Sequence, residues 1–143
     1  MTVEQGICAS FLLELHQAVH DFTTDTFKIA LFDSTVDLSP DTTAYSATGE
    51  ASGTGYTAGG EALVFTDSTP KLVGRLPIVN IDPVIWTGSF SFRGILLYNS
   101  SKSDRAWMVI DPGRTVSISA ETYTVPPNVI NGIEAIYRLA QAG

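Results

Sequence analysis

A single cysteine, Cys8, leaves this chain nothing to pair into an internal disulfide and nothing with which to build a multi-cysteine metal site. It stands among apolar positions of helical spacing, where a thiol reads as a small buried hydrophobe rather than a reactive group. Long apolar runs are missing as well: no stretch of 18 such residues exists to cross a bilayer. Glu4 and Gln5 interrupt the start, with no cationic segment ahead of the first apolar run, so no secretory leader is expected. Such a chain is expected to fold where it is made, in a reducing compartment.

Positive charge is scarce. Eight Lys and Arg face fifteen Asp and Glu, for a net charge of −7, and charged residues make up only 16% of the chain. The cations after Lys28 are scattered at Lys71, Arg75, Arg93, Lys102, Arg105, Arg114 and Arg138, so no basic stripe exists to neutralise phosphates, and no nucleic-acid or membrane partner is expected. The balance is uneven along the chain: residues 1–70 hold ten carboxylates and one cation, and residues 71–143 hold five carboxylates and seven cations.

Catalytic and cofactor patterns are also lacking. The segment S-G-T-G-Y-T-A-G-G (52–60) places Gly53, Gly55 and Ala58 in a G-x-G-x-x-G/A spacing. That fingerprint needs a buried strand before it and a helix after it, whose N–H groups meet the pyrophosphate. Here a polar stretch precedes, and Glu61-Ala62-Leu63-Val64-Phe65 reads as strand, so the glycines serve a projecting loop or tight bends. His16 and His20 are four apart and face one way if helical, but Gln17 stands where a zincin needs glutamate. They read as exposed or capping. Asp33, Asp37 and Asp41 do not follow an EF-hand spacing, and no G-x-S-x-G elbow occurs. Trp86 and Trp107 could stack a sugar, but on apolar strands they read first as core or interface. No catalytic residue, metal ligand or cofactor is assigned; the chain reads as a non-enzyme.

What is present is one helix and many strands. Ile7, Cys8, Phe11, Leu12, Leu15 and Val19 recur at three- and four-residue spacing, predicting a helix over about 5–21 with Glu14, Gln17 and Asp21 facing away. From Thr26 the grammar changes. Strands are expected at Phe27–Phe32, Ala62–Thr66, Leu76–Ile81, Val84–Trp86, Ser89–Tyr98, Ala106–Ile110, Thr115–Ser119 and Thr122–Val125. Asp33–Gly60 is a long polar passage in which Ala44–Ser46 is the best candidate for pairing. The tail fits either period; a final strand through Ile133, Ala135, Tyr137 and Leu139 is favoured as an edge partner. The whole reads as a single domain, 1–143: an N-terminal helix, then an all-β sandwich or barrel over about 26–143.

These stretches resemble, as a set, a family of small tailed-bacteriophage virion proteins. The resemblance is carried by C-A-S-F-L-L-E-L-H-Q-A-V-H-D-F (8–22), D-T-F-K-I-A-L-F (25–32), T-T-A-Y-S-A-T-G-E-A-S-G-T-G-Y-T-A-G-G (42–60), F-R-G-I-L-L-Y-N-S-S (92–101) and D-R-A-W-M-V-I-D (104–111). It covers residues 7–111; Lys71–Pro83 and the end after Pro127 depart from the pattern. The Y-S-x-x-x-E-x-S-G-x-G-Y-x-x-G-G core from Tyr45 to Gly60 is its most specific part.

The family includes head decoration, or cement, proteins, and the resemblance implies an antiparallel jelly-roll-like β-sandwich. It also implies a homodimer, made in the host cytoplasm and bound to the major capsid protein on the outer surface of the head, with no cofactor. Placement on a tail or fibre, with glycan binding through Trp86, Trp107 or Tyr56, is the alternative. The charge split and the tyrosines flanking the glycines make Tyr45, Gly53, Gly55, Tyr56, Gly59 and Gly60 the candidate interface.

Overall fold

Residues 2–65, 70–125 and 137–138 are described by the structure, a computed structural model. In chain order the elements are β1 (Gly6–Ile7), α1 (Ala9–His16), β2 (Phe27–Phe32), β3 (Glu61–Ala62), β4 (Lys71–Val73), β5 (Leu76–Val79), β6 (Val84–Phe92), β7 (Gly94–Asn99), β8 (Arg105–Ile110), β9 (Val116–Val125) and β10 (Tyr137–Arg138). The described residues are thus mostly β, with antiparallel sheets and one short helix. By compactness the chain falls into two units, residues 1–62 with 86–122 and residues 63–85 with 123–143.

The first unit is built on a five-stranded sheet in the order β1-β8-β7-β2-β3. Its centre is dictated by three apolar runs. F-K-I-A-L-F, G-I-L-L-Y-N and A-W-M-V-I are buried almost throughout, the pattern of strands covered on both faces. Phe27 pairs with Asn99 and Phe32 with Gly94, an unbroken antiparallel register. Between β7 and β8 the register shifts after Leu97, so that Tyr98 faces Ala106 while Leu97 faces Met108. Trp107 is the extra residue, and such a bulge re-aims a side chain. Its ring packs with Phe11, Phe22 and Phe27 at centroid distances of 6.0, 5.0 and 5.3 Å. This cluster fixes the helix to the sheet.

The helix is shorter than its apolar period predicts, and both ends have a cause. Gly6 and Ile7 join the sheet opposite Val109 and Met108, and the N–H of Cys8 donates to the Trp107 carbonyl, so the first apolar positions belong to a strand. At the other end Ala18 turns left-handed (φ 59°). Its N–H bonds Leu15 O and that of Val19 bonds Glu14 O, a Schellman stop made without glycine. Glu14, expected to face away, is buried instead. So is His20, which lies beyond the helix and does not share a face with the exposed His16.

Two other expectations change. The alternation from Ser89 to Tyr98 is not one strand: β6 ends at Phe92 and β7 begins at Gly94, pairing with different partners. Period-2 patterning runs through a corner without marking it. Conversely, the segments around Thr115–Ser119 and Thr122–Val125 form one strand, β9, with a left-handed residue at Ala120 (φ 51°), and it pairs with β6. Along β6 Trp86, Phe90 and Phe92 are buried while Thr87, Ser89 and Ser91 are exposed.

The second unit holds the antiparallel sheet β10-β5-β4 and a bridge between Phe65 and Ile81. Tyr137 and Arg138 of the expected final strand pair with Val79 and Ile78. Ile133, Ala135 and Leu139 lie outside the described residues, as does Thr66.

The helix anchor can be tested by contrast. Phe11 is fully buried (0%) and Leu13 is 60% exposed. Phe11→Ala should cost about 3–5 kcal/mol, whereas Leu13→Ala should stay within about 0.5 kcal/mol, both read from urea unfolding.

Candidate functional site

The passage between β2 and β3 has little regular structure, yet it is tied down along its length. Near its middle Tyr45 N–H donates to the Asp104 carbonyl and Ala106 N–H to that of Thr43, so the pairing expected at Ala44–Ser46 is a single bridge from Ala44 to Arg105. Next, Asp33 N–H donates to Gly49 O and Ala51 N–H to Leu31 O, which sets Glu50 opposite Phe32. Thr54 then bridges Ser89 on β6.

That route brings the side chain of Glu50 into the middle of the loop. Its Oε2 accepts the Tyr45 hydroxyl at 2.7 Å, and its Oε1 accepts the Tyr56 hydroxyl and the Gly59 N–H, both at 2.7 Å. Tyr56 closes the circuit by accepting the Leu31 N–H at 3.0 Å, while Tyr98 donates to the Gly59 carbonyl at 2.6 Å. Tyr45 and Tyr98 stack with centroids 4.5 Å apart. The Tyr56 ring lies 5.6 Å from Phe90 and 6.3 Å from Trp86. Three tyrosines and one glutamate therefore connect loop, β2, β6 and β7. Glu50 belongs to the Tyr45–Gly60 motif, but its spacing of five and six residues to its tyrosines follows no helix or strand period, and so its role was not legible.

The glycines fit the same design. Gly60 (φ 77°) presses on the Ile29 carbonyl and Gly55 (φ 87°) on that of Thr87; a methyl at either would run into the oxygen. Only glycine combines that φ with that approach. Gly53 lies against the Ser89 carbonyl, and Gly59 offers its peptide to Glu50 and Tyr98. All six candidate interface residues thus act in the loop's own construction. Around them Ser52, Thr54, Thr57 and Ala58 are exposed. Strand β3 follows the glycines where a dinucleotide fold would place a helix.

Burial, and behind it the bond to Glu50, pushes the Tyr45 hydroxyl above its ordinary value. Burial does the same to Tyr56, with the Leu31 N–H pulling the other way and Glu50 adding to the rise. Tyr98 is pushed up to about 12, by burial and then by Asp104 and Glu50. These hydroxyls remain donors at any ordinary pH.

A second polar cluster lies beneath the helix. Arg105 donates to Glu14 Oε2, and His20 Nε2 is 3.0 Å from Glu14 Oε1. The Asn99 amide nitrogen is 3.0 Å from His20 Nδ1 and 2.8 Å from Asp25 Oδ2, and Lys102 donates to Asp25 Oδ1 at 3.1 Å. An amide nitrogen has only hydrogens to give, so His20 Nδ1 accepts and Nε2–H donates to Glu14. Burial alone would raise the Glu14 carboxyl; the bonds from His20 and Arg105 outweigh it and hold it below the usual 4.5. For Asp25 burial is likewise outweighed, by Asn99, the Asp21 N–H and Lys102. Burial pushes the Cys8 thiol up to about 12, with Glu14 adding to it.

Trp86 and Trp107 are 2% and 0% exposed, inside the core. Among the described residues no three His, Cys, Asp or Glu side chains gather as metal ligands, and no helix is long and apolar enough to cross a membrane. Comparison of the chain with protein-family models, with curated proteins and with solved structures found no match.

Two outcomes are expected. Glu50→Ala leaves two tyrosine hydroxyls and a peptide N–H without their acceptor, and should cost about 3 kcal/mol or more in chemical unfolding. For pH, Glu14 and Asp25 are depressed in the folded state, so their stabilisation is present above the ordinary 4.5 and 3.8 and is lost as pH falls through the lower folded values. The Cys8 thiol is raised, so its contribution is complete below 9.0 and is lost as pH climbs toward about 12. Denaturation midpoints should therefore be level between these limits and drop outside them, with Glu14→Gln flattening the acid limb. A stability maximum at pH 3 would contradict this.

Proposed function

We propose that this protein is a structural component of a tailed-phage virion that decorates the assembled head, binding the major capsid protein at seams between capsomers. The observation that carries the reading is the Tyr45–Gly60 segment. The residues that most specifically resemble the cement proteins are the ones this fold uses to fix a surface loop, so the likeness falls on positions whose identities are physically required.

The mechanism is linkage. A protein that binds only the assembled shell stabilises it by RT ln(1 + [L]/Kd), about 2.7 kcal/mol per site at a hundredfold excess over Kd. A fixed loop suits that task, because less ordering is lost on binding. In this reading the five-stranded sheet and the β6–β9 pair are parts of a jelly-roll-like sandwich, the protein acts as a homodimer, and it reaches the head surface from the host cytoplasm. A tail or fibre protein binding glycans would need open aromatic platforms. Both tryptophans are buried, and the Tyr56 hydroxyl is held by Glu50 and Leu31, so the head reading is preferred.

Sedimentation with undecorated heads and, separately, with isolated tails tests it. The protein should pellet with heads at saturable stoichiometry. Thr57→Arg and Ala58→Arg, on the exposed rim of the loop, should weaken pelleting about tenfold or more while melting as the parent does. Binding to tails alone would sink the proposal.

A further inference from the structure

The first unit contains an open pocket of about 180 Å³. Buried Phe32, Leu38 and Leu96, with half-buried Val36, give it an apolar floor; exposed Asp37 and half-buried Thr42 belong to its rim. Asp33 and Asp41 are chain neighbours of the lining residues Phe32 and Thr42, and neither forms an ion pair among the described residues. The unit around it holds twelve carboxylates against five Lys and Arg, the whole net charge of −7. Asp37, which also accepts the Thr2 N–H, is the carboxylate that lines the pocket, and an apolar floor beside it in a unit of net charge −7 suits an apolar side chain flanked by cations.

The second unit presents such a group. Strands β4 and β5 form a hairpin in which Val73 pairs with Leu76 across a turn at Gly74 and Arg75. Leu72 is 66% exposed beside its cross-strand partner Pro77. Lys71 and Arg75, before and after it, are exposed and form no ion pair among the described residues. Nothing lies within 4 Å of where a Gly74 side chain would begin. Among the described residues β4 is an edge strand, a surface that proteins ordinarily protect.

We propose that the β4–β5 hairpin of one copy docks into the pocket of another. Leu72 fills the apolar floor, and Lys71 and Arg75 meet the carboxylates of Asp33, Asp37 and Asp41. Of the other exposed large apolar residues, Leu12 and Leu13 lie on a helix with no Lys or Arg, and Val64 and Ile85 have no Lys or Arg beside them in the chain, so none brings a flanking cation. Charge complementarity therefore selects the hairpin. Knob and pocket are different surfaces, so two copies can exchange the contact reciprocally about a two-fold axis, giving a closed pair, or pass it on head to tail, giving a ring or row. This contact is independent of shell binding.

Sedimentation velocity of the full chain, with no shell present, tests it. Association should grow with protein concentration at about 20 mM salt and fade at about 0.5 M, where screening is strong. Leu72→Asp, and separately Lys71→Glu with Arg75→Glu, should weaken it about tenfold or more, as should Asp37→Lys with Asp41→Lys. Leu13→Asp should leave it unchanged. Mixing the hairpin-defective and pocket-defective chains should restore pairs but no longer species, since each retains one competent surface. The proposal is overturned if the parent stays monomeric at low salt to about 1 mM, if the Leu72 and Lys71/Arg75 variants associate as the parent does, or if Leu13→Asp abolishes association. Near-parental melting of the Lys71/Arg75 variant, whose changed side chains are exposed, excludes misfolding as the cause of its loss.

Discussion

The carboxylate of Glu50 is the interaction on which the first unit's irregular half depends. A passage as long as Asp33–Gly60 ordinarily carries a large conformational-entropy cost, since fixing each residue costs about 1–2 kcal/mol. Short bridges to β2, β6 and β8 offset part of it. Between those bridges the interval from Tyr45 to Gly59 is tied together by side chains, where a single glutamate accepts three donors. Hydrogen bonds to a charged group are worth about 1.5–3 kcal/mol each, a substantial share of a domain's usual 5–15 kcal/mol. Tyr56 then carries the constraint from the loop into β2, through Leu31, and toward β6, through Phe90.

The cluster of Glu14, His20, Asn99, Asp25, Lys102 and Arg105 works differently. Its groups lie within or at the edge of the aromatic packing around Phe11 and Trp107, where an unsatisfied polar atom is costly. Each of these groups has partners, so the cluster is tolerated rather than strongly stabilising; buried ion pairs often do no better than apolar side chains of the same volume. What it contributes is position. Glu14 can bond both His20 and Arg105 only with the helix in one rotation about its axis, and Asn99 does the same for the turn that carries Asp25.

How much of this could be read from sequence follows from the range of each signal. Strands β2 and β8 were legible because a short apolar run, bounded by polar turns and too brief for a helix, fits little besides a buried strand. The helix was legible in kind but not in extent. Ile7 is apolar whether it faces a core as helix or as strand, and nothing in the letters marks Ala18 as left-handed. Glu14 and His20 were misplaced for one reason: polarity predicts exposure unless a partner is known, and Arg105 and Asn99 lie some eighty to ninety residues away. In the loop, Tyr45, Tyr56 and the glycines stood out as a motif, but their acceptor did not.

The division of charge also bears on how copies of this chain approach one another. The first unit carries −7 and the second is neutral overall, with exposed cations at the hairpin. Two first units brought face to face repel over a Debye length of about 8 Å at physiological salt. A two-fold contact made through that unit alone would have to overcome this repulsion with apolar area, and its exposed large apolar residues among those described are only Leu12 and Leu13. Contacts that set the hairpin against an acidic surface meet no such opposition. Whatever surface this protein covers, the electrostatics favour unlike faces meeting, and a crowded layer of copies is easier to build that way than from identical acidic faces in pairs.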